Sequence, residues 1–367
     1  LQNPQLERIS AELGAGTRPG ESVLRMEVTE APPGSYSFSF ANNRSPAVGG
    51  EHLEAEAGYR NLWGLGETAT LRFGRASGLE ELTAILSVPI TARDTVLGIK
   101  LENTETTIVE PPFNLIDIQN RSEYVEIGVG HPVYRTLARR LDLVAMVTRE
   151  SNESTVLQGV PFPFSPGLDS GRSVVSALRF VADWTDRTAD RVFAARGTVA
   201  QGIDAMGATV LPDALPDSRF AAFLAQLQLA QRVSSANDQI LLRGDWQHAN
   251  GALLAPEKFA LGGMQSVRGY RENALVRDNA WALSAEYRRP FAGTNFEWAV
   301  FSDYGEARDD RGPWGRLGSV GAGVRWQPWP GVLAQLYKGF PLVDTENDTD
   351  DFQDHGWHFS LVVQGRF

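Results

Sequence analysis

From about residue 34 to the C-terminus, apolar and polar residues alternate with period two. Over residues 35–41, Tyr36, Phe38 and Phe40 fall on one side, with Ser35, Ser37, Ser39 and Ala41 on the other. Leu53, Ala55, Ala57 and Tyr59 alternate in the same way with Glu54, Glu56, Gly58 and Arg60. Further along, Trp281, Leu283, Ala285 and Tyr287 alternate with Ala282, Ser284, Glu286 and Arg288. Val320, Ala322, Val324 and Trp326 oppose Ser319, Gly321, Gly323 and Arg325, and the last segment sets Trp357, Phe359, Leu361, Val363 and Phe367 against His358, Ser360, Gln364 and Arg366. Successive side chains of a strand point to opposite faces, so each segment predicts a β-strand with one oily and one wet side.

A soluble sandwich would also alternate, but the wet side here carries Glu, Arg, Gln and Gly repeatedly, and aromatics gather near the ends of the oily side. That is the expectation for strands between lipid and a hydrated lumen. The connections strengthen it, because short turns at 61–67, 89–94, 185–190, 233–238, 290–294 and 327–331 alternate with longer loops at 103–120, 150–171, 202–218, 248–279, 304–315 and 340–356. Short turns on one side of the membrane and long loops on the other characterise outer-membrane barrels. The pattern predicts an all-β protein, a 16-stranded antiparallel transmembrane β-barrel over residues 33–367, monomeric, with both termini periplasmic.

Residues 1–32 read differently. Residues 3–9 predict one or two helical turns, and residues 10–14 and 22–30 predict two strands joined by a turn at 16–20. Ala31, Pro32 and Pro33 then form a stiff junction. This segment is too short to build its own core and reads as the end of a periplasmic domain whose beginning lies outside the chain.

Composition narrows the classes. A net charge of -11 argues against nucleic acid as a partner, since phosphates call for a basic stripe. No run approaches the roughly 20 apolar residues of a membrane-spanning helix, and the mean hydropathy of -0.23 is what alternating strands average to. The absence of cysteine excludes disulfides and thiolate chemistry. His52, His131, His248, His355 and His358 are scattered, with no pair at helical spacing, so no metal or other cofactor is expected. No Gly-x-Ser-x-Gly elbow is present. The letters Gly64-Leu65-Gly66-Glu67-Thr68-Ala69 match a dinucleotide fingerprint but lie between strands, with no helix to receive a pyrophosphate. The acidic run 344–351 lacks the glycine and glutamate of a calcium loop and reads as a solvated outer loop. Nothing points to an enzyme.

Candidate chemistry concentrates in the longest loop. Residues 259–270 read Phe-Ala-Leu-Gly-Gly-Met-Gln-Ser-Val-Arg-Gly-Tyr, ending in Val267-Arg268-Gly269-Tyr270, and the strand count places them between strands 11 and 12. Arg268, beside a glycine that permits a sharp tip, could project its guanidinium into the lumen. Asp303 shares a face with Glu297, opposite Phe296, Trp298 and Val300, and should point inward. Charge pattern alone leaves Arg268 either solvated or pinned to Asp303.

These residues resemble the signature of the Omp85 superfamily, and particularly its two-partner secretion branch, the transporters of haemagglutinins, haemolysins and contact-dependent inhibition toxins. Phe301-Ser302-Asp303-Tyr304-Gly305 is similar to the family's Phe-x-Asp-x-Gly motif on strand 13, and the final strand ending in Phe367 is similar to the signal read by the barrel assembly machinery. The resemblance implies that loop 248–279 folds into the lumen, that Arg268 pairs with Asp303, and that Phe301 and Gly305 belong to the same constellation. It implies secretion of a partner exoprotein across the outer membrane without ATP, with the lipid bilayer, lipopolysaccharide and the assembly machinery as further partners. An assembly factor of the same superfamily, a passive porin and a membrane enzyme with residues brought together by the fold are the alternatives. Relatives carry a plug helix and two complete periplasmic POTRA domains, of which residues 1–32 would be a remnant.

Overall fold

The computed structural model describes residues 6–18, 20–168, 170–212, 215–345 and 351–367. An amino-terminal hairpin pairs Leu6–Ala15 with Ser22–Glu30. Sixteen further strands form one closed antiparallel barrel. In chain order they are β1 (Gly34–Ala41), β2 (His52–Arg60), β3 (Thr68–Ala76), β4 (Leu79–Pro89), β5 (Val96–Thr107), β6 (Gln119–Arg135), β7 (Arg139–Val156) and β8 (Arg172–Arg187). Then come β9 (Arg191–Gly202), β10 (Ala221–Arg232), β11 (Gln239–Ala249), β12 (Asn279–Pro290), β13 (Phe296–Arg308), β14 (Gly315–Trp326), β15 (Val332–Pro341) and β16 (Trp357–Arg366).

Each barrel strand pairs with its sequence neighbour, and β16 returns to β1 with Ser360 opposite Ala41 and Arg366 opposite Ser35. Reciprocal backbone bonds between Gly34 and Phe367, at 2.9 and 3.0 Å, complete the seam. Closure satisfies the backbone of every wall strand without water, which hydrocarbon cannot supply.

Register sorts the side chains. Ser37, Glu56, Arg72, Thr83, Glu102, Tyr124 and Glu150 form one cross-strand row that faces the lumen. The adjacent row of Ala57, Leu71, Ala84, Leu101 and Val125 faces outward. Leu71 is 60% exposed and Leu101 48%. Side chains of that kind, exposed in rows around the whole wall, need an apolar medium to cover them, and a lipid bilayer supplies it.

The boundaries depart from the sequence reading in several places. Residues 6–9 continue a strand where helical turns were expected, while residues 3–5 lie outside the described residues. β5 runs to Thr107, β7 to Val156 and β13 to Arg308, so the loops expected from 103, 150 and 304 start later. β3 and β4 are joined by Ser77 and Gly78 alone, so the alternation of short and long connections fails there. β6, β7 and β8 have 17, 18 and 16 residues, more than the roughly 9–11 that cross hydrocarbon. Their surplus bears outward Arg121, Arg149, Glu153 and Arg172, polar on both faces, which erases the alternation that marks a strand in sequence.

Candidate functional site: an arginine-tipped loop locked to the lumen wall

The connection between β11 and β12 folds inward. Its stem is a short antiparallel pair, Phe259–Leu261 with Leu275–Arg277. Leu261, Val267 and Tyr270 pack in one buried cluster with Ala280, Ala282, Ala307 and Leu317 from the walls of β12, β13 and β14. The small residues on those strands leave room for the loop. A Cβ on Gly305 would come 2.7 Å from Leu261 Cδ1, so the glycine of the Phe-x-Asp-x-Gly motif is a seat for the loop stem.

Arg268 sits at the tip with 6% exposure. Its Nε and terminal nitrogen donate to the two Asp303 carboxylate oxygens at 2.8 and 2.9 Å, and its backbone N–H donates to Asp303 Oδ2 at 3.1 Å. Planar guanidinium and carboxylate meet two-pronged, the strongest form of this pair. The other terminal nitrogen is bonded to Glu286, and Ser284 Oγ accepts at 3.2 Å. Phe301 lies under the guanidinium, 3.7 Å from ring centroid to Cζ, with Tyr337 at 5.1 Å. Register explains the convergence, because Ser284 is opposite Asp303 and Glu286 opposite Phe301 on β12 and β13. Glu286 is also bonded to Arg288 and accepts from the Tyr337 hydroxyl at 3.1 Å. Two arginines and two carboxylates thus balance in charge, as a buried ionic cluster must to offset its desolvation.

The rest of the tip is held just as closely. Gly269 has φ +94°, a region that favours glycine, and its N–H donates to His358 Nε2 at 2.9 Å. His358 Nε2 is thereby the accepting nitrogen, which places the ring proton on Nδ1. The Tyr270 hydroxyl lies 2.8 and 2.9 Å from the carbonyls of Gly318, within β14, and Val343, just past the end of β15. Arg271 donates to Asp354 at 2.9 and 2.8 Å and to Glu110 at 3.3 and 3.0 Å, tying the tip to the β15–β16 and β5–β6 connections. Glu272 accepts the Met264 N–H at 2.8 Å, and its own N–H donates to Gln353 at 2.7 Å. Burial pushes the Glu272 carboxyl up to about 7.

The structure brings together Val267, Arg268, Gly269, Tyr270, Phe301, Asp303 and Gly305. Phe367 is elsewhere, at the barrel seam beside Tyr36, with ring centroids 6.4 Å apart. Sequence reading missed Glu286, Ser284, Tyr337 and His358. Ser284, Glu286 and His358 are inward positions of strands whose faces were read, but choosing among many lumen residues required the register; the face of Tyr337 was not read. The acidic run 344–351 lies largely outside the described residues, and the described residues hold no cluster of metal-binding side chains.

A family model for the haemolysin secretion/activation protein ShlB/FhaC/HecB matches residues 20–326. The outer membrane transporter CdiB of Dickeya dadantii (strain 3937) is 21% identical over 274 residues, 72% of this chain and 48% of the relative, so the chain spans about half of that relative's length. CdiB from Escherichia coli superimposes with a TM-score of 0.80 at 18% identity, over 98% of this chain and 68% of that one. CdiB from Acinetobacter baumannii gives 0.72 at 13% identity, over 98% and 66%. BamA from Haemophilus ducreyi lacking POTRA domains 1-3 gives 0.68 at 13% identity, over 99% and 76%. The structural likenesses establish the fold, and the family match covers most of the chain. The chain therefore belongs to the ShlB/FhaC/HecB family of haemolysin secretion/activation proteins, two-partner secretion transporters of the Omp85 superfamily.

Proposed function

We propose that this protein is the outer-membrane pore that exports a partner exoprotein, with both termini periplasmic and residues 1–32 the end of a periplasmic POTRA domain. The observation that carries the reading is the locked tip, with Arg268 buried between Asp303 and Glu286 inside the barrel. A passive porin has no need of such a lock, because loop burial of this kind constrains a conduit that must also change. Asp303 and Glu286 hold the loop at rest, and the same bonds must be exchanged or preserved when a chain passes. The polar row of the wall from β1 to β7 offers an extended polypeptide no deep apolar trap, so it can slide. Folding of the exoprotein outside prevents return and gives direction without ATP, which the periplasm does not supply. Phe367, at the seam, serves as the signal for the barrel assembly machinery, and the outward apolar rows meet lipid and lipopolysaccharide.

The test compares cells with and without the full-length gene product for the exoprotein encoded beside it. Loss of that one protein from the medium, with other outer-membrane proteins intact, supports the proposal. Unaltered secretion with a general loss of outer-membrane barrels overturns it in favour of an assembly role.

A further inference from the structure

The lumen is electrically lopsided. On the side that carries the loop, charges are buried and matched. Arg268 and Arg288 answer Asp303 and Glu286, and Arg243 answers Asp245 at 3.1 Å. The side chains of Arg268, Glu286 and Asp303 are 7%, 5% and 0% exposed.

The wall from β2 to β7 is different. Glu54, Glu56, Glu81, Glu102, Glu126, Asp142 and Glu150 face the lumen there, with Arg60, Arg72, Lys100 and Arg140 as inward cations of the same strands. Glu81 pairs with Arg44 at 2.7 Å and Asp142 with Arg140 at 2.8 Å. Arg72 is shared between Glu56 and Glu54 at 2.7 and 3.7 Å, and Lys100 pairs with Glu102 at 2.7 Å. Glu126 takes the Tyr124 hydroxyl at 2.7 Å, and Glu150 takes Ser122 and Asn152 at 3.1 and 3.3 Å, neutral donors in each case. Among the described residues of this arc, Glu54, Glu126 and Glu150 are thus the inward carboxylates with no cation of their own, Glu54 sharing Arg72 with Glu56. The inward side chains of Glu54, Glu56 and Glu102 keep 28%, 31% and 33% exposure, so solvent space runs along them.

We propose that the open path through this barrel lies along the β2–β7 wall and is cation-selective, favouring positively charged groups that move through it. The physical cause is surplus fixed negative charge on a low-dielectric wall, which concentrates cations and depletes anions in the narrow water beside it. For the transport reading above, on which the biological use of this path rests, lysine and arginine side chains of a passing polypeptide are favoured over acidic ones. The selectivity itself does not depend on that reading.

The test uses the purified full-length protein in planar bilayers under a potassium chloride gradient. The expected reversal potential has the sign of potassium preference. The triple variant Glu54→Gln, Glu126→Gln and Glu150→Gln removes the surplus and shifts that potential towards zero. A wild-type pore without cation preference, or a triple variant with unchanged selectivity, overturns the proposal.

A second measurement avoids those substitutions. The chain has no cysteine, so Ser122→Cys places one thiol beside Glu150. A cationic methanethiosulfonate reagent should modify it on the order of tenfold faster than an anionic one at low salt. Equal rates overturn the proposal even if the triple variant fails to assemble. Cation preference in a protein that secretes nothing leaves the path standing and sinks the transport reading.

Discussion

Gly269 and Gly339 meet backbone to backbone, and a Cβ added to Gly339 would fall 2.5 Å from the Gly269 Cα. The loop tip thus presses on a bare stretch of β15, and the wall atoms it meets are main chain that cannot step aside. Gly339→Ala should therefore unseat the tip while the barrel still closes, because the same position pairs across to Gly321 without touching the seam. Hydrogen exchange over residues 262–274 in detergent should accelerate by more than about tenfold, a penalty above about 1.4 kcal/mol. Unchanged protection would mean the tip is not seated by that contact.

The Arg268–Asp303 pair should couple strongly. Removing one partner leaves a buried charge without compensation, which costs about 3–5 kcal/mol. Asp303→Asn and Arg268→Ala should each loosen the tip by that order, and the double variant should be less damaging than the sum. Arg268→Lys should not rescue, since an ammonium cannot span both Asp303 oxygens and also reach Glu286 and Ser284. A double-mutant cycle read by exchange of the tip amides decides it, and additive effects would contradict the pairing as an energetic unit.

Tyr270→Phe tests a second anchor. Its hydroxyl lies within hydrogen-bond distance of the carbonyls of Gly318 on β14 and Val343 just past β15. Loss of a buried hydroxyl that serves backbone groups costs about 1–3 kcal/mol, and the ring packing with Leu261 and Leu317 remains. The loop should loosen less than with Arg268→Ala, and the resting bilayer current should become noisier. A quiet current identical to wild type would remove Tyr270 from the latch.

Glu272 makes loop docking depend on pH. Burial raises its carboxyl to about 7 when docked, against an ordinary carboxylate value of about 4.3 when free. The docked state then binds more protons across that window, so docking is most favourable below about 4.3 and weakens as pH rises through about 7. Tip exchange, corrected for its intrinsic pH dependence, should show the loss in wild type and a flat profile in Glu272→Gln. A profile in Glu272→Gln identical to wild type would assign the effect to another group.

Much of this was legible in the sequence for a physical reason. Strands such as Tyr36–Phe40 or Val320–Trp326 lie between lipid and water, so period two is enforced on every residue. The face of Asp303 follows from Phe296, Trp298 and Val300, but the inward fold of the loop was implied only by the resemblance of Val267 to Tyr270 to the family motif. Where a strand leaves the bilayer the constraint lapses, and Ser151 to Val156 on β7 looked like loop. Glu286 and His358 were hidden differently, because each is one polar residue among many on the inner face. What selects them is contact between segments far apart in sequence, as when the loop residue Gly269 reaches His358 on β16.

The central claim is that a loop pinned through Arg268 governs an export pore. The most direct measurement is the amount of the partner exoprotein in the medium of cells making wild type, Arg268→Ala or Asp303→Ala full-length protein, with equal heat-modifiable barrel in the outer membrane. The account predicts a large fall in secretion for both variants with barrel levels unchanged. Normal secretion by both would contradict it.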